Sequence, residues 1–179
     1  ANTDLWASPD GSLVLYQPNA ADVMAVEPAS GKVRWRYRAK HDPNAPFGWV
    51  PTPQVACNAQ WTPAGTVVLR YWNTLDVISS STGELIWKVP YEGYWYCPAV
   101  CPDSSILRIG HEGTTLEKLN PKGQVVWTHD FSQTGVAHAA PLVLFPSGDT
   151  LVRTKGWLLN ISPKGTVNWQ KPLTDGATK

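Results

Sequence analysis

The chain has 179 residues and a formal net charge of +1, with 15 Lys+Arg against 14 Asp+Glu. That balance excludes a bulk electrostatic nucleic-acid binder, and no apolar run is long enough to predict a transmembrane helix. Apolar residues make up 42%, charged residues only 16%, and ten Trp with six Tyr demand burial, which excludes disorder.

Fourteen Gly and 16 Pro punctuate the chain into short segments, a pattern of strands rather than long helices. The first unit opens with a short segment at Asp4–Trp6 and a turn at Pro9–Ser12. Strands are predicted over Ser12–Tyr16 and Asp22–Val26, followed by a tight turn at Ala29–Gly31 and a strand through Trp35. In that last strand Val33, Trp35 and Tyr37 share one face, and Lys32, Arg34, Arg36 and Arg38 the other. A long connector, 39–53, comes next. The second unit has Ala56–Trp61, a turn at Pro63, strands over Thr66–Arg70 and Leu75–Ile78, a turn ending at Gly83, and Trp87. The third has Tyr96–Val100, Pro102, Ile106–Ile109, Thr115–Leu119, Gly123 and Trp127. The fourth has Ala139–Leu144, Pro146, Thr150–Arg153, Trp157–Ile161, Gly165 and Trp169.

Four copies of Gly-x-x-x-Trp therefore recur, each behind a Pro turn, with Pro-to-Trp distances of 26, 24, 25 and 23 residues. The Trp-to-Trp steps are 52, 40 and 42. Four antiparallel strands repeated at this period predict an all-β chain, a β-propeller of four four-stranded blades, either a four-bladed ring or part of a larger one. The expected domain is 1–179, with blades at 4–39, 54–90, 94–131 and 136–172. Because a single blade cannot bury both faces, Trp35, Trp87, Trp127 and Trp169 are read as structural wedges between neighbouring sheets. Truncating such a wedge is expected to cost on the order of 3–5 kcal/mol.

The segments Asp22–Trp35 and Val77–Trp87 resemble the repeat of the pyrroloquinoline-quinone-like (quinoprotein-type) β-propeller superfamily, roughly Leu-Tyr-Ala-Leu-Asp-x-x-Thr-Gly-x-x-x-Trp. Leu119–Gly123 and Ile161–Gly165 match more loosely and also resemble repeats of arylsulfotransferase-type propellers. That superfamily implies a blade type rather than one activity, since it includes dehydrogenases, assembly scaffolds and binding proteins. Its quinone-dependent enzymes carry adjacent cysteines, a calcium-binding carboxylate set and a catalytic Asp. None of these has a matching motif here. Pyrroloquinoline quinone with calcium is expected only if the chain is part of such an oxidoreductase. An arylsulfotransferase reading needs a catalytic His, for which His138 is a nominal candidate.

No catalytic residue, metal site or cofactor is expected from the motifs. His41, His111, His129 and His138 form no pair at metal-ligand spacing. The candidate ligand or partner residues lie where propeller loops emerge: Phe47 and Trp49 in the connector, and Tyr94, Trp95 and Tyr96 before the third blade. Gln54, Asn58 and His138, with Tyr96, are candidates to meet near a channel mouth. The row Arg34, Arg36 and Arg38 is read as protection of an exposed sheet edge rather than as an anion site.

Three cysteines, Cys57, Cys97 and Cys101, leave at least one unpaired. A Cys57–Cys97 disulfide is expected from their nearly equivalent repeat positions. Cys97–Cys101 is the alternative, disfavoured because four extended residues separate the two by about 13 Å. The absence of an initial Met fits a processed chain, an excised fragment or an engineered expression product, and a disulfide fits an oxidising compartment, so a location outside the cytoplasm, periplasmic or secreted, is expected. The function expected is a non-enzymatic binding or assembly scaffold with a protein partner or self-association. The alternatives are part of a quinoprotein-like oxidoreductase or arylsulfotransferase-type enzyme, and a carbohydrate-binding propeller.

Overall fold

The structure, a computed structural model, describes residues 5–18, 22–39, 59–71, 74–91, 96–110, 113–133 and 142–173. These form four sheets, each of four antiparallel strands in sequence order. The first contains β1 (Leu5–Ala7), β2 (Val14–Tyr16), β3 (Asp22–Val26) and β4 (Val33–Arg38). The second contains β5 (Gln60–Trp61), β6 (Thr66–Arg70), β7 (Thr74–Ser79) and β8 (Leu85–Pro90). The third contains β9 (Ala99–Val100), β10 (Ile106–Gly110), β11 (Thr115–Leu119) and β12 (Val125–Asp130). The fourth contains β13 (Val143–Leu144), β14 (Thr150–Arg153), β15 (Trp157–Ile161) and β16 (Val167–Pro172).

The chain divides into two compact units, Ala1–Tyr91 and Glu92–Lys179, with two sheets in each. The first unit packs Leu15, Val23, Ala25 and Trp35 against Val67, Leu69, Tyr71 and Ile78. The second packs Tyr96, Cys101, Leu107, Ile109 and Leu116 with Phe131, Val152, Leu159 and Ile161. The aliphatic residues of the inner strands thus fill the space between successive sheets, where their burial contributes most of the driving force.

Chain reversal follows one recipe. The hairpins into β4, β8, β12 and β16 end on Gly31, Gly83, Gly123 and Gly165, with φ of 68°, 73°, 80° and 85°. At the Pro turns the same left-handed conformation falls on Gly11, Gly65 and Gly148, and in the third unit on Ser104 (φ 63°).

The outermost strand departs from simple alternation. Ala25 faces Trp35 but Val26 faces Val33, so Arg34 is an extra residue in a β-bulge. The register shifts at the same place in the other sheets, leaving Ile86, Val126 and Asn168 unpaired in the ladder. As expected, Trp35 and Tyr37 are buried together, but Val33 is exposed. The bulge interrupts the two-residue period between Val33 and Trp35.

Candidate functional site

The repeated Trp forms a joint between sheets. From β4, Trp35 donates its indole N–H to the Ser80 carbonyl at 2.8 Å, in the hairpin of the following sheet. Its ring covers Gly83, where a Cβ would lie 2.6 Å from ring atom Cε3. Trp127 repeats the arrangement in the second unit. It donates to the Pro163 carbonyl at 2.9 Å, and its Cδ2 would lie 2.8 Å from a Cβ at Gly165. The hairpin glycine therefore serves two ends: it adopts the left-handed turn and leaves a flat seat for the ring.

Two residues after Trp35, Tyr37 donates its phenol to Asp76 Oδ2 at 2.5 Å. Asp76, on β7, is fully buried, and its other oxygen has no partner among the described residues. The buried hydroxyl of Tyr71 likewise has none among them. Burial, reinforced by Asp76, pushes the Tyr37 phenol far above its ordinary value. Tyr71 is raised in the same direction by burial and by the charges of Asp76 and Asp22. Nearby on β6, the Arg70 guanidinium lies 5.1 Å from the centre of the Tyr91 ring. Burial lowers its pKa, with Tyr91 acting in the opposite direction. Both phenols thus stay protonated at neutral pH. The Tyr37–Asp76 pair is a buried donor on a buried acceptor, suited to holding a polar contact between sheets rather than to moving protons.

In the second unit, Glu117 takes the repeat position of Asp76 and pairs with Arg108 at 2.7 Å. Lys118 reaches Asp103 at 2.9 Å. Burial acts to raise the Asp103 pKa, but hydrogen bonds from Ser105 and Lys118 outweigh it and lower the value. Burial holds the His129 pKa below its ordinary value, with Asp130 acting in the opposite direction.

The basic row on β4 is engaged within its own sheet. Arg34 binds Glu27 at 2.6 Å, Arg36 approaches Met24 Sδ at 3.4 Å, and Arg38 grips the buried Asp22 carboxylate through two bonds of 2.7 and 2.9 Å. Exposed aliphatic residues recur at one position of each sheet's outer strand. Val33, Leu85, Val125 and Val167 stand two residues after each hairpin glycine and are all 38–51% exposed. The bulge residues Ile86 and Val126 are exposed next to them.

Of the residues singled out in the sequence as ligand or partner contacts, Tyr96 is described. It is buried in the core of the second unit. Phe47, Trp49, Gln54, Asn58, Tyr94, Trp95 and His138 lie outside the described residues. The structural Trp residues differ in burial: Trp35 is buried, Trp87 and Trp127 are half-buried, and Trp169 is exposed. Cys97 is disulfide-bonded and Cys101 is a free, buried thiol, so these two are not paired with each other. Cys57 lies outside the described residues. Among the described residues, no group of three or more His, Cys, Asp and Glu is placed to hold a metal. No helix there is long and apolar enough to cross a membrane. Sequence reasoning missed Asp76, because Leu75–Ile78 reads as an apolar strand with one outward polar residue. The available signal was a Tyr two residues after Trp35, on its buried face.

Four-stranded antiparallel sheets in sequence order, joined within each compact unit by a Trp of one outer strand on the hairpin of the next sheet, define a β-propeller chain. Solved structures agree. The chain is similar to BamB from Moraxella catarrhalis, at 14% identity with a TM-score of 0.68, covering 96% of this chain and 53% of that one. It is also similar to a streptogramin B lyase, at 15% identity and TM-score 0.65, with 98% and 55% covered. Virginiamycin B lyase from Staphylococcus aureus is similar at 12% identity and TM-score 0.65, with 96% and 55% covered. The chain spans about half the length of these structures. No family model and no curated protein matches the sequence.

Proposed function

We propose that this chain is a non-enzymatic binding or assembly module of the β-propeller class, acting outside the cytoplasm by contact with a protein partner. The observation that carries the reading is an exposed aliphatic residue at the same repeat position in every sheet: Val33, Leu85, Val125 and Val167. Single exposed aliphatics are ordinary, but recurrence at one repeat position, with Ile86 and Val126 alongside, lines the sheet edges with apolar surface. Such positions suit protein contacts, and in the first sheet Arg34, Arg36 and Arg38 add a polar rim to Val33. The aromatic loop residues Phe47, Trp49, Tyr94 and Trp95, with Gln54, Asn58, Tyr96 and His138, supply specificity in this reading. The repeats belong to the quinoprotein-like type and work without a cofactor. The disulfide at Cys97, for which we assign Cys57 as partner, fits an oxidising compartment.

The test is cross-linking in the native host with the wild type and with an Ile86→Asp, Val126→Asp double variant. A defined polypeptide should join the wild type and be lost from the variant, with near-ultraviolet circular dichroism unchanged. The proposal fails if the folded variant keeps that polypeptide. It also fails if the wild type consumes streptogramin B, oxidises an alcohol with added quinone, or turns over an aryl sulfate.

A further inference from the structure

Two halves of the inter-sheet joint face solvent. On β16, Trp169 is 41% exposed, whereas the equivalent Trp35 is 7% exposed. Among the described residues its one ring contact of note is the Lys171 ammonium, 5.9 Å from the ring centre. The complementary half is the Gly31 hairpin, built like the hairpin that receives Trp35. Gly31 N–H donates to the Glu27 carbonyl at 2.8 Å and Glu27 N–H to Lys32 at 2.9 Å. In the receiving hairpin, Gly83 donates to Ser79 at 2.9 Å and Ser79 to Glu84 at 2.8 Å. The glycine φ angles are 68° and 73°. A Cβ on Gly83 would strike the Trp35 ring, but one on Gly31 would meet no described atom within 4 Å. Accordingly Gly83 is buried and Gly31 is exposed.

We infer that a second copy of this chain covers both surfaces. Trp169 of one copy lies on the Gly31 hairpin of the other and donates its indole N–H to the Pro28 carbonyl. Pro28 stands three residues before Gly31, as Ser80 stands three before Gly83. The commitment to a second copy has two grounds. Each chain carries both the donor ring and the seat, so a two-fold arrangement satisfies two joints at once. The same joint is formed twice inside the chain, with a hydrogen bond and a covered glycine each time. The inference stands apart from the partner reading above, which concerns a different row of residues.

Sedimentation velocity of the 179-residue chain over a wide concentration range tests it. A reversible dimer is expected. Trp169→Ala, which removes the ring, and Gly31→Asn, which blocks the seat while tolerating positive φ, should each weaken the dimer at least about tenfold. Mixing the two variants pairs an intact Trp169 with an intact Gly31, so the mixture should associate more strongly than either variant alone. A monomeric wild type overturns the inference and leaves another polypeptide's blade as the occupant. So does a dimer that both folded variants leave unchanged, or a mixture no tighter than its components. If Trp169→Ala does not fold, Gly31→Asn alone decides by the same readout.

Discussion

At Gly83 a left-handed backbone and a flat contact surface fall on one residue. Asn tolerates the backbone but not the contact, since its Cβ would enter the Trp35 ring. Gly83→Asn should therefore cost about 2–3 kcal/mol, through overpacking of a joint with no room to relax. The same change at Gly31 meets open space and should cost under about 1 kcal/mol. Urea denaturation of dilute, monomeric protein separates the two; equal shifts in midpoint would show that the ring contact is energetically irrelevant. A second residue-level consequence concerns alkaline pH. The folded pKa values of Tyr37 and Tyr71 lie above the ordinary tyrosine value of about 10. In the unfolded chain both lose their protons near that value, while in the folded chain they keep them. Their contribution to stability is thus fully present below pH 10 and is lost as pH rises toward the folded values. In a tyrosinate absorbance titration, Tyr37 and Tyr71 should ionise only as the chain unfolds. Tyr37→Phe should also destabilise the chain by about 1–3 kcal/mol, because it strips the buried Asp76 of its donor. Smooth ionisation of both with the fold intact would contradict the buried placement.

At the scale of the strand, the hairpin glycines and inner strands were legible because each depends on local chemistry. Thr66–Arg70, Asp22–Val26 and Trp157–Ile161 are aliphatic runs between turn formers, and they form strands over those residues. The bulges were not legible. Gly31–Trp35 reads as a regular strand, and only pairing with Val26 reveals that Arg34 is supernumerary. The destination of each Trp was equally hidden, since spacing within a unit says nothing about which carbonyl of the next sheet receives the indole. The loop residues proposed for recognition, such as Trp49 and Trp95, carry no repeat pattern to place them. Composition marks them as aromatic loop positions and goes no further. What the strands do show is that the Trp is a tie rather than mere filler. Trp35→Ala loses a buried ring and a hydrogen bond to the neighbouring sheet and should cost about 3–5 kcal/mol, measured by the urea midpoint. A cost under about 1 kcal/mol would mean that the two sheets are held by their aliphatic cores alone.

For the whole molecule, energetics follow from the way sheets are coupled to their neighbours. Repeat architectures draw stability from intrinsic sheet terms and nearest-neighbour joints. Each compact unit has its own core and its own described joint: Trp35 on Gly83 in one, Trp127 on Gly165 in the other. A lesion in one joint should therefore loosen its own unit first. Native-state hydrogen exchange resolved by peptide reads this directly, because it reports local opening as well as global unfolding. In Trp35→Ala, amides of β1–β8 should lose protection while those of β9–β16 keep theirs. In Trp127→Ala the pattern should reverse. The double variant should show the sum of the two losses, since the cores share no residue. Equal loss of protection across all sixteen strands in either single variant would mean that the chain opens as one cooperative block, and the nearest-neighbour account would fail.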